Sequence, residues 1–288
     1  MNSVAPVWDG NETWLVLGGG GLLAVFPLAY SVILTALYAP AIAMLAGLIL
    51  RGVAFEFRWK TRTNTPAWDL AFFGGSLLAA VSQGVMLGAL VQGISVSGRH
   101  YAGGWFDWLT PFSLTTAAAL AVGYALLGAC WLILKTDGEM QRQARGFAWP
   151  LAIALIIAVG VVSLWTPVLI TQYFTRWLAW PHIVYVAPIP ILTAVVMWRL
   201  IDGIRREHER EPFVAALGLF LLCYIGLGVS LYPNVVPPSI SIWDAAAPRS
   251  SLAFLLVGAL VLIPLILAYT AYAYWVFRGK VDSGGGYH

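Results

Sequence analysis

Charged residues are scarce in this sequence. Of its 288 residues only 10% are Asp, Glu, Lys or Arg, whereas 60% are hydrophobic. A soluble domain carries about 25% charged residues, because its surface must face water. This composition excludes a soluble enzyme and a disordered protein. The net charge of +3 does not indicate a nucleic-acid partner, because the basic residues are spread between long apolar runs.

Cysteine and histidine are also scarce. The two cysteines, Cys130 and Cys223, lie inside apolar runs, so a disulfide framework has no support. No histidine lies deep within an apolar run; the four are His100, His182, His208 and His288. Haem iron in a helical bundle takes His, Met or Cys as axial ligands. We therefore expect this chain to hold no haem or metal by itself. The sequence also has no signature motif of an ATPase, a protease or a hydrolase.

Long uncharged runs dominate what is present, and they predict an all-α polytopic membrane protein. A membrane-spanning helix needs about 20 mostly apolar residues. The uncharged stretch 14–50 is too long for one crossing, so we place a turn at Phe26-Pro27, where proline breaks the helical hydrogen-bond ladder. About eight transmembrane helices follow. Their predicted bounds are 6–26, 28–50, 68–94, 111–134, 147–167, 183–201, 213–231 and 251–277.

The basic residues indicate an orientation. Thirteen of the sixteen lie in the connections after the second, fourth and sixth predicted helices or near the C-terminus. The remaining three are Arg99, Arg176 and Arg249. Basic loops face the cytoplasm, so we expect these connections and the C-terminus to be cytoplasmic. We interpret residues 1–277 as one integral membrane domain and 278–288 as a short flexible cytoplasmic tail.

Two acids, Asp9 and Glu12, stand at the start of the first predicted helix. A carboxylate at membrane depth is costly and usually faces a protein interior or a water path. Residues three apart share a helix face, so the two could form one polar patch in which repulsion raises the proton affinity of one member. Alternatively, both lie among lipid headgroups at a frayed terminus. The following run Gly18–Gly21 favours close helix packing.

Five segments carry specific motifs in an order that covers nearly the whole chain. They are residues 2–15 with Trp8-Asp9-Gly10-Asn11, 51–60 with Arg51, Glu56 and Lys60, 109–112, 232–245 with Trp243-Asp244, and 269–275. In this order they resemble subunit II of the cytochrome bd quinol oxidases. The family has a first helix with an Asp-Gly-Phe-Asp motif that has no counterpart here. The resemblance therefore implies the family fold minus its first helix, with packing like that of four-helix bundles.

The resemblance also implies an activity and partners. Members of this family sit in the bacterial inner membrane beside subunit I, which holds haems of the b and d types, oxidises quinol and reduces oxygen to water. Small accessory subunits and a structural quinone are further candidates. This chain would then be a subunit without haem of its own, active only with subunit I. A membrane transporter or channel is the alternative interpretation, because it also fits many spans and a membrane acid.

The resemblance assigns roles to residues that match the family motifs. Asp9 matches a membrane acid in a polar path toward the haems, and Trp14 matches an aromatic that lines an oxygen or proton route. Glu56, which replaces an Asp of the family, and Lys60 match polar positions at the cytoplasmic mouth. The motif positions with structural roles are Trp8, Gly10, Asn11, Arg51, Trp243 and Asp244. From their sequence context alone, Asp69 and Asp244 are expected to be helix caps or first-turn acids.

Overall fold

A computed structural model describes residues 3–61 and 65–281, except the side chain of Asn11. The described chain is almost entirely helical. The helices are α1 (Gly10–Val25), α2 (Pro27–Ala36), α3 (Tyr38–Lys60), α4 (Thr65–Gln92), α5 (Pro111–Lys135), α6 (Gly138–Leu169), α7 (Thr171–Leu178), α8 (His182–Val186), α9 (Pro188–Arg205), α10 (Glu211–Leu231), α11 (Ile242–Ala245) and α12 (Arg249–Val276). Two short antiparallel hairpins pair β1 (Val96–Ser97) with β2 (His100–Tyr101), and β3 (Asn234–Val236) with β4 (Ile240–Ser241).

Seven helices of the described chain are long and apolar enough to cross a membrane. They are α3, α4, α5, α6, the continuous α8–α9 pair, α10 and α12. The predicted all-α polytopic membrane fold is therefore confirmed. The predicted bounds hold within a few residues for most of these helices, but α6 begins at Gly138 rather than at 147. Its first turns carry Glu139, Arg142 and Arg145, which water can solvate beyond the apolar core, so a hydropathy pattern misses them.

The turn predicted at Phe26-Pro27 is wrong. The backbone of Phe26 is not helical, so α1 ends there, and the Phe26 carbonyl accepts the first hydrogen bond of α2 from the Tyr30 N–H at 2.9 Å. Pro27 occupies the first position of α2, where a helix does not need an N–H. The chain bends there without reversing. The Val25 carbonyl at the bend accepts the Ala247 N–H at 2.9 Å, so the bend does not leave this oxygen without a donor.

The chain reverses instead at Leu37, between α2 and α3. Trp8, before α1, stacks on Phe55 near the end of α3. Val32 of α2 packs in one core with Val236, beside the start of α3. The bent pair α1–α2 therefore runs antiparallel to α3 from one end of that helix to the other. The two short helices are apolar and together extend along α3, and the predicted span 28–50 was wrong in its bounds, because it covers α2 and only part of α3.

The structure has two distinct ends. At the basic end lie the turn before α1, the end of α3, the α5–α6 and α9–α10 connections and residues 277–281. Contacts join these segments: the Trp131 Nε1–H donates to the Ser3 carbonyl at 3.2 Å, and the Val281 N–H donates to the Lys135 carbonyl at 2.8 Å. At the hairpin end lie both β-hairpins and α7. The expected gathering of basic connections at one end is confirmed for the described residues; Arg62 lies outside them.

The two larger of three clusters of buried side chains organise the described helices. In the larger one, α5, α6, α9 and α10 share buried side chains as a four-helix bundle, as expected. The second joins α2 and α4 to the β3–β4 hairpin and α11. Small residues allow α4 to approach α5 closely: a Cβ on Gly84 would lie 2.4 Å from the Ala117 Cα. By contrast, none of the α12 residues is buried within the described chain.

The C-terminal segment packs against the basic end as far as it is described. The Lys135 Nζ donates to the Phe277 carbonyl at 2.5 Å, and the Lys280 ammonium lies 2.5 Å from Asp137 and 2.6 Å from Glu209. Residues 282–288, which include most of the predicted flexible tail, lie outside the described residues. The predicted domain boundary at 277 stays a prediction.

Candidate functional site

A polar junction lies at the basic end, where the turn before α1 meets α3. The Arg51 Nη2 donates to the Trp8 carbonyl at 2.7 Å and lies 3.7 Å from the Glu12 Oε1. The Trp8 ring stacks on Phe55 with centroids 4.9 Å apart. It also covers Gly52, where a Cβ would meet the ring at 3.5 Å. We call this arrangement of Trp8, Glu12, Arg51, Gly52 and Phe55 the Arg51 junction.

The Arg51 junction contains polar atoms that the described residues leave unpaired. The Glu12 Oε1 and the Arg51 Nε are buried without a hydrogen-bond partner in residues 3–61 and 65–281. Their side chains attract each other, but a separation of 3.7 Å is too long for a hydrogen bond. Buried charged atoms are costly unless they are paired or hydrated. The Arg51 junction therefore carries an unsatisfied polar cost within the described residues.

The structure separates the two acids at the start of α1. Asp9 stands at the N-cap of α1 without a side-chain capping bond, and its side chain is exposed. Glu12 turns toward Arg51 instead. The acid that the structure places in a polar network is therefore Glu12, whereas Asp9 faces outward from the chain. Sequence reasoning missed the pairing of Glu12 with Arg51, because the two residues lie far apart in the sequence.

Much of the surface of α1 is uncovered within the described chain. Trp14 is 36% exposed, and a Cβ on any glycine from Gly18 to Gly21 would meet nothing within 4 Å. Gly10, at the first position of α1, is equally open. The close packing expected for the glycine run is therefore not made with any described part of this chain. This uncovered surface includes Trp14 and the backbone of Gly18–Gly21, and the exposed Asp9 stands just before it.

Glu56 and Lys60 lie in the last turns of α3, near the Arg51 junction. Residues four apart share a helix face, so the two side chains are neighbours there. Both are exposed, and neither forms an ion pair with another described residue. Arg58 pairs with Asp69 of α4 at 2.7 Å. Asp69 is thus an ion-pair partner in the second turn of α4 rather than the first-turn acid that we expected.

The Trp243-Asp244 motif lies at the hairpin end, far from the Arg51 junction. The Asp244 carboxylate accepts from the Ser241 N–H at 3.3 Å, and the Ser241 Oγ accepts from the Asp244 N–H at 3.2 Å. This capping box starts α11 with Ser241 as the N-cap, so the expected position of Asp244 as a first-turn acid is confirmed. Trp243 is exposed and packs edge-on against Tyr232.

The described side chains do not fit a haem. The three described histidines, His100, His182 and His208, are exposed and lie at helix or strand ends. The described residues contain no group of three or more His, Cys, Asp or Glu side chains that could hold a metal ion. Met86 and Met197 are partly buried, but each packs within an apolar core.

Comparison with known proteins places the chain in a family. Residues 1–277 match the family model of cytochrome bd terminal oxidase subunit II. The cytochrome bd-I ubiquinol oxidase subunit 2 of Escherichia coli K12 is 30% identical over 322 residues, which cover 98% of this chain and 84% of the relative. The cytochrome bd ubiquinol oxidase subunit 2 of Bacillus subtilis is 27% identical over 296 residues with the same coverage.

A solved structure has the same fold. It is the bd oxidase from Geobacillus thermodenitrificans, which superposes with a TM-score of 0.73 at 19% identity, over 96% of this chain and 84% of that chain. These matches support the interpretation as subunit II over the alternative interpretation as a transporter or channel. The chain belongs to the family of cytochrome bd terminal oxidase subunit II.

Proposed function

We propose that this chain works as subunit II of a cytochrome bd-type quinol:oxygen oxidoreductase and is active only together with subunit I. Subunit I supplies the haems of the b and d types and the quinol-oxidising site. This chain supplies structural support and part of the path for protons and oxygen. The family match supports this function.

The uncovered surface of α1 is the observation that carries the proposal. Asp9, Trp14 and Gly18–Gly21 are exposed or open on the first helix, although a membrane acid normally faces protein or water. Glycines let the backbone of a second helix approach closely. Subunit I is the partner that covers this surface. Contact with subunit I then buries Asp9, which is exposed in this chain alone.

The proton path follows from the same geometry. The basic end faces the cytoplasm, because basic connections stay inside. Glu56 and Lys60 form the polar mouth on that side. Protons pass from there to Asp9, which borders subunit I, and the Arg51 junction places the charged side chains of Glu12 and Arg51 near this path. Trp14 lines the adjoining route on the partner-facing side of α1.

The complex lies in a membrane and has further components. The chain crosses the bacterial inner membrane many times, with the C-terminal segment 278–288 in the cytoplasm. Small accessory subunits and a structural quinone complete the assembly. No nucleic acid takes part.

The role of Asp9 is tested by replacing it with Asn in the complex of this chain with subunit I. Loss of the ionisable carboxyl removes a proton relay while the side-chain size is kept. We expect slower quinol-driven oxygen uptake between about pH 6 and pH 8, with the haem spectrum retained. The matched control is Asp69→Asn, which removes an exposed carboxylate that pairs only with Arg58 among described residues. Unchanged uptake in Asp9→Asn removes this residue from the proton path.

A further inference from the structure

A cleft of about 440 Å³ lies between α6 and α9 at the basic end. Its lining residues are Arg145, Gly146, Trp149, Ile204, Arg205 and Glu207. The cleft shares no lining residue with the Arg51 junction or with the uncovered surface of α1. Gly146 leaves space in the cleft, because a Cβ at this position would meet no atom within 4 Å.

The cleft lies at the depth of lipid headgroups. From Trp149 to Leu169, α6 rises about 30 Å at 1.5 Å per residue. This length matches the hydrocarbon core of about 30 Å. Trp149 therefore stands at the boundary of the core, where tryptophan is enriched. Arg205 ends α9 at the same level.

Arg205 is held in place but keeps its hydrogen-bond donors available. Its guanidinium carbon lies 4.7 Å from the centroid of the Trp149 ring, a cation–π contact that orients the group. No described residue accepts a hydrogen bond from it or pairs with its charge. The neighbouring arginines differ: Arg206 pairs with Asp202 at 2.8 Å, and Arg199 pairs with Glu211 at 2.9 Å.

Arg145 adds a second positive charge to the cleft. It donates to the Glu207 carbonyl at 2.7 Å and to the His208 carbonyl at 3.3 Å, which fixes the α9–α10 connection. These acceptors are neutral, so the guanidinium charge is not cancelled by them. The Glu207 carboxylate also borders the cleft and removes one charge. Two guanidinium groups against one carboxylate leave the cleft positive.

An apolar stripe continues from the cleft toward the membrane centre. Ile153 and Ile157 follow Trp149 at intervals of four residues, so the three share one face of α6. Ile153 is 40% exposed and Ile157 is 61% exposed. The cleft thus combines a cationic head at the interface with an apolar strip below it. This is the chemistry of a phospholipid with a negatively charged headgroup.

We propose that the cleft between α6 and α9 binds an anionic phospholipid. The Arg205 guanidinium donates two parallel hydrogen bonds to the lipid phosphate, the geometry for which arginine is suited. Arg145 contributes a second charge, and one acyl chain lies along Trp149, Ile153 and Ile157. Basic pockets between membrane helices at an interface bind such headgroups elsewhere.

Native mass spectrometry of the assembled complex, titrated with phosphatidylglycerol, tests the proposal. We expect Arg205→Gln to weaken the tightest bound lipid by about tenfold or more, because hydrogen bonds to a charged group are lost. The matched control is Arg206→Gln, which removes the same charge one residue away and should leave binding within about twofold. Glu207→Gln should tighten binding, because it removes the opposing charge. Retained haem absorbance verifies that each variant is assembled.

Three results would overturn the proposal. Equal weakening by Arg205→Gln and Arg206→Gln would indicate only a general charge effect at the basic end. Equal binding of phosphatidylcholine would mean that the site does not select a negative headgroup. Displacement of the lipid by millimolar inorganic phosphate would identify a site for a free anion, because a phosphate ion has no acyl chain to compete for the apolar stripe.

Discussion

Replacing Arg51 of α3 by Met removes a side chain that contacts both the Trp8 carbonyl, before α1, and Glu12, in α1. The variant loses the hydrogen bond from Arg51 to the Trp8 carbonyl, and a hydrogen bond made by a charged group contributes about 1.5–3 kcal/mol. It also leaves the Glu12 carboxylate without its counter-charge. Met keeps the length and apolar stem of the side chain, so packing against the Trp8 ring changes little.

The size of the charge interaction follows from its geometry. Two unit charges at about 4 Å attract by about 4 kcal/mol at an effective dielectric constant of 20. The Arg51 and Glu12 side chains are 22% and 30% exposed, so solvent screening lowers this value. We expect a coupling energy of about 1–2 kcal/mol between them. The total loss in Arg51→Met is then about 3 kcal/mol in the free energy of unfolding.

A double-mutant cycle isolates the coupling. Unfolding free energies are measured in mixed micelles for the parent, Arg51→Met, Glu12→Gln and the double variant, with tryptophan fluorescence as the probe. The double variant should lose about 1–2 kcal/mol less than the two single losses added together. If the effects add within about 0.5 kcal/mol, the two side chains do not interact and the Arg51 junction is only a packing contact.

Three further predictions concern other contacts. Gly84→Ala should destabilise the protein by about 1–3 kcal/mol, because its Cβ would lie 2.4 Å from α5, whereas Gly74→Ala in open space should not; thermal unfolding compares them. Arg176→Gln should cost about 1.5–3 kcal/mol in the same assay, because the guanidinium donates to carbonyls that end α10, including that of Val229 at 2.8 Å. Bonding to Lys280 lowers the pKa of Glu209, and bonding to Asp137 and Glu209 raises the pKa of Lys280. Docking of residues 277–281 should therefore weaken below about pH 4.3 and above about pH 10.4, which the mobility of a spin label next to Lys280 would report.

The membrane fold could be predicted from the sequence, because each crossing needs a long apolar run whatever its neighbours are. The turn between the first two crossings was placed at Pro27, whereas the chain reverses at Leu37. Pro27 is the first residue of α2, and Pro40 is the third residue of α3. Proline is tolerated in the first turn of any helix, so neither proline marks a reversal by itself. Hydropathy does not distinguish a bend from a reversal there. Only the packing of α2 against the β3–β4 hairpin decides between them.

The candidate site was less predictable than the fold. The motif around Asp9 could be found in the sequence, but the pairing of Glu12 with Arg51 depends on how α1 lies against α3. A possible signal was that both residues stand at the same end of consecutive antiparallel crossings. α7 was missed for a related reason: it is short and has one polar face, so no apolar run marks it.

Quinol-driven oxygen uptake in membranes tests the central claim most directly. Membranes of a strain without its own quinol oxidases would contain this chain alone, subunit I alone, or both. The account predicts that uptake appears only when both are present, together with the haem absorbance of subunit I. Uptake at the same rate from subunit I alone would contradict the account, because this chain would then be unnecessary for the activity assigned to it.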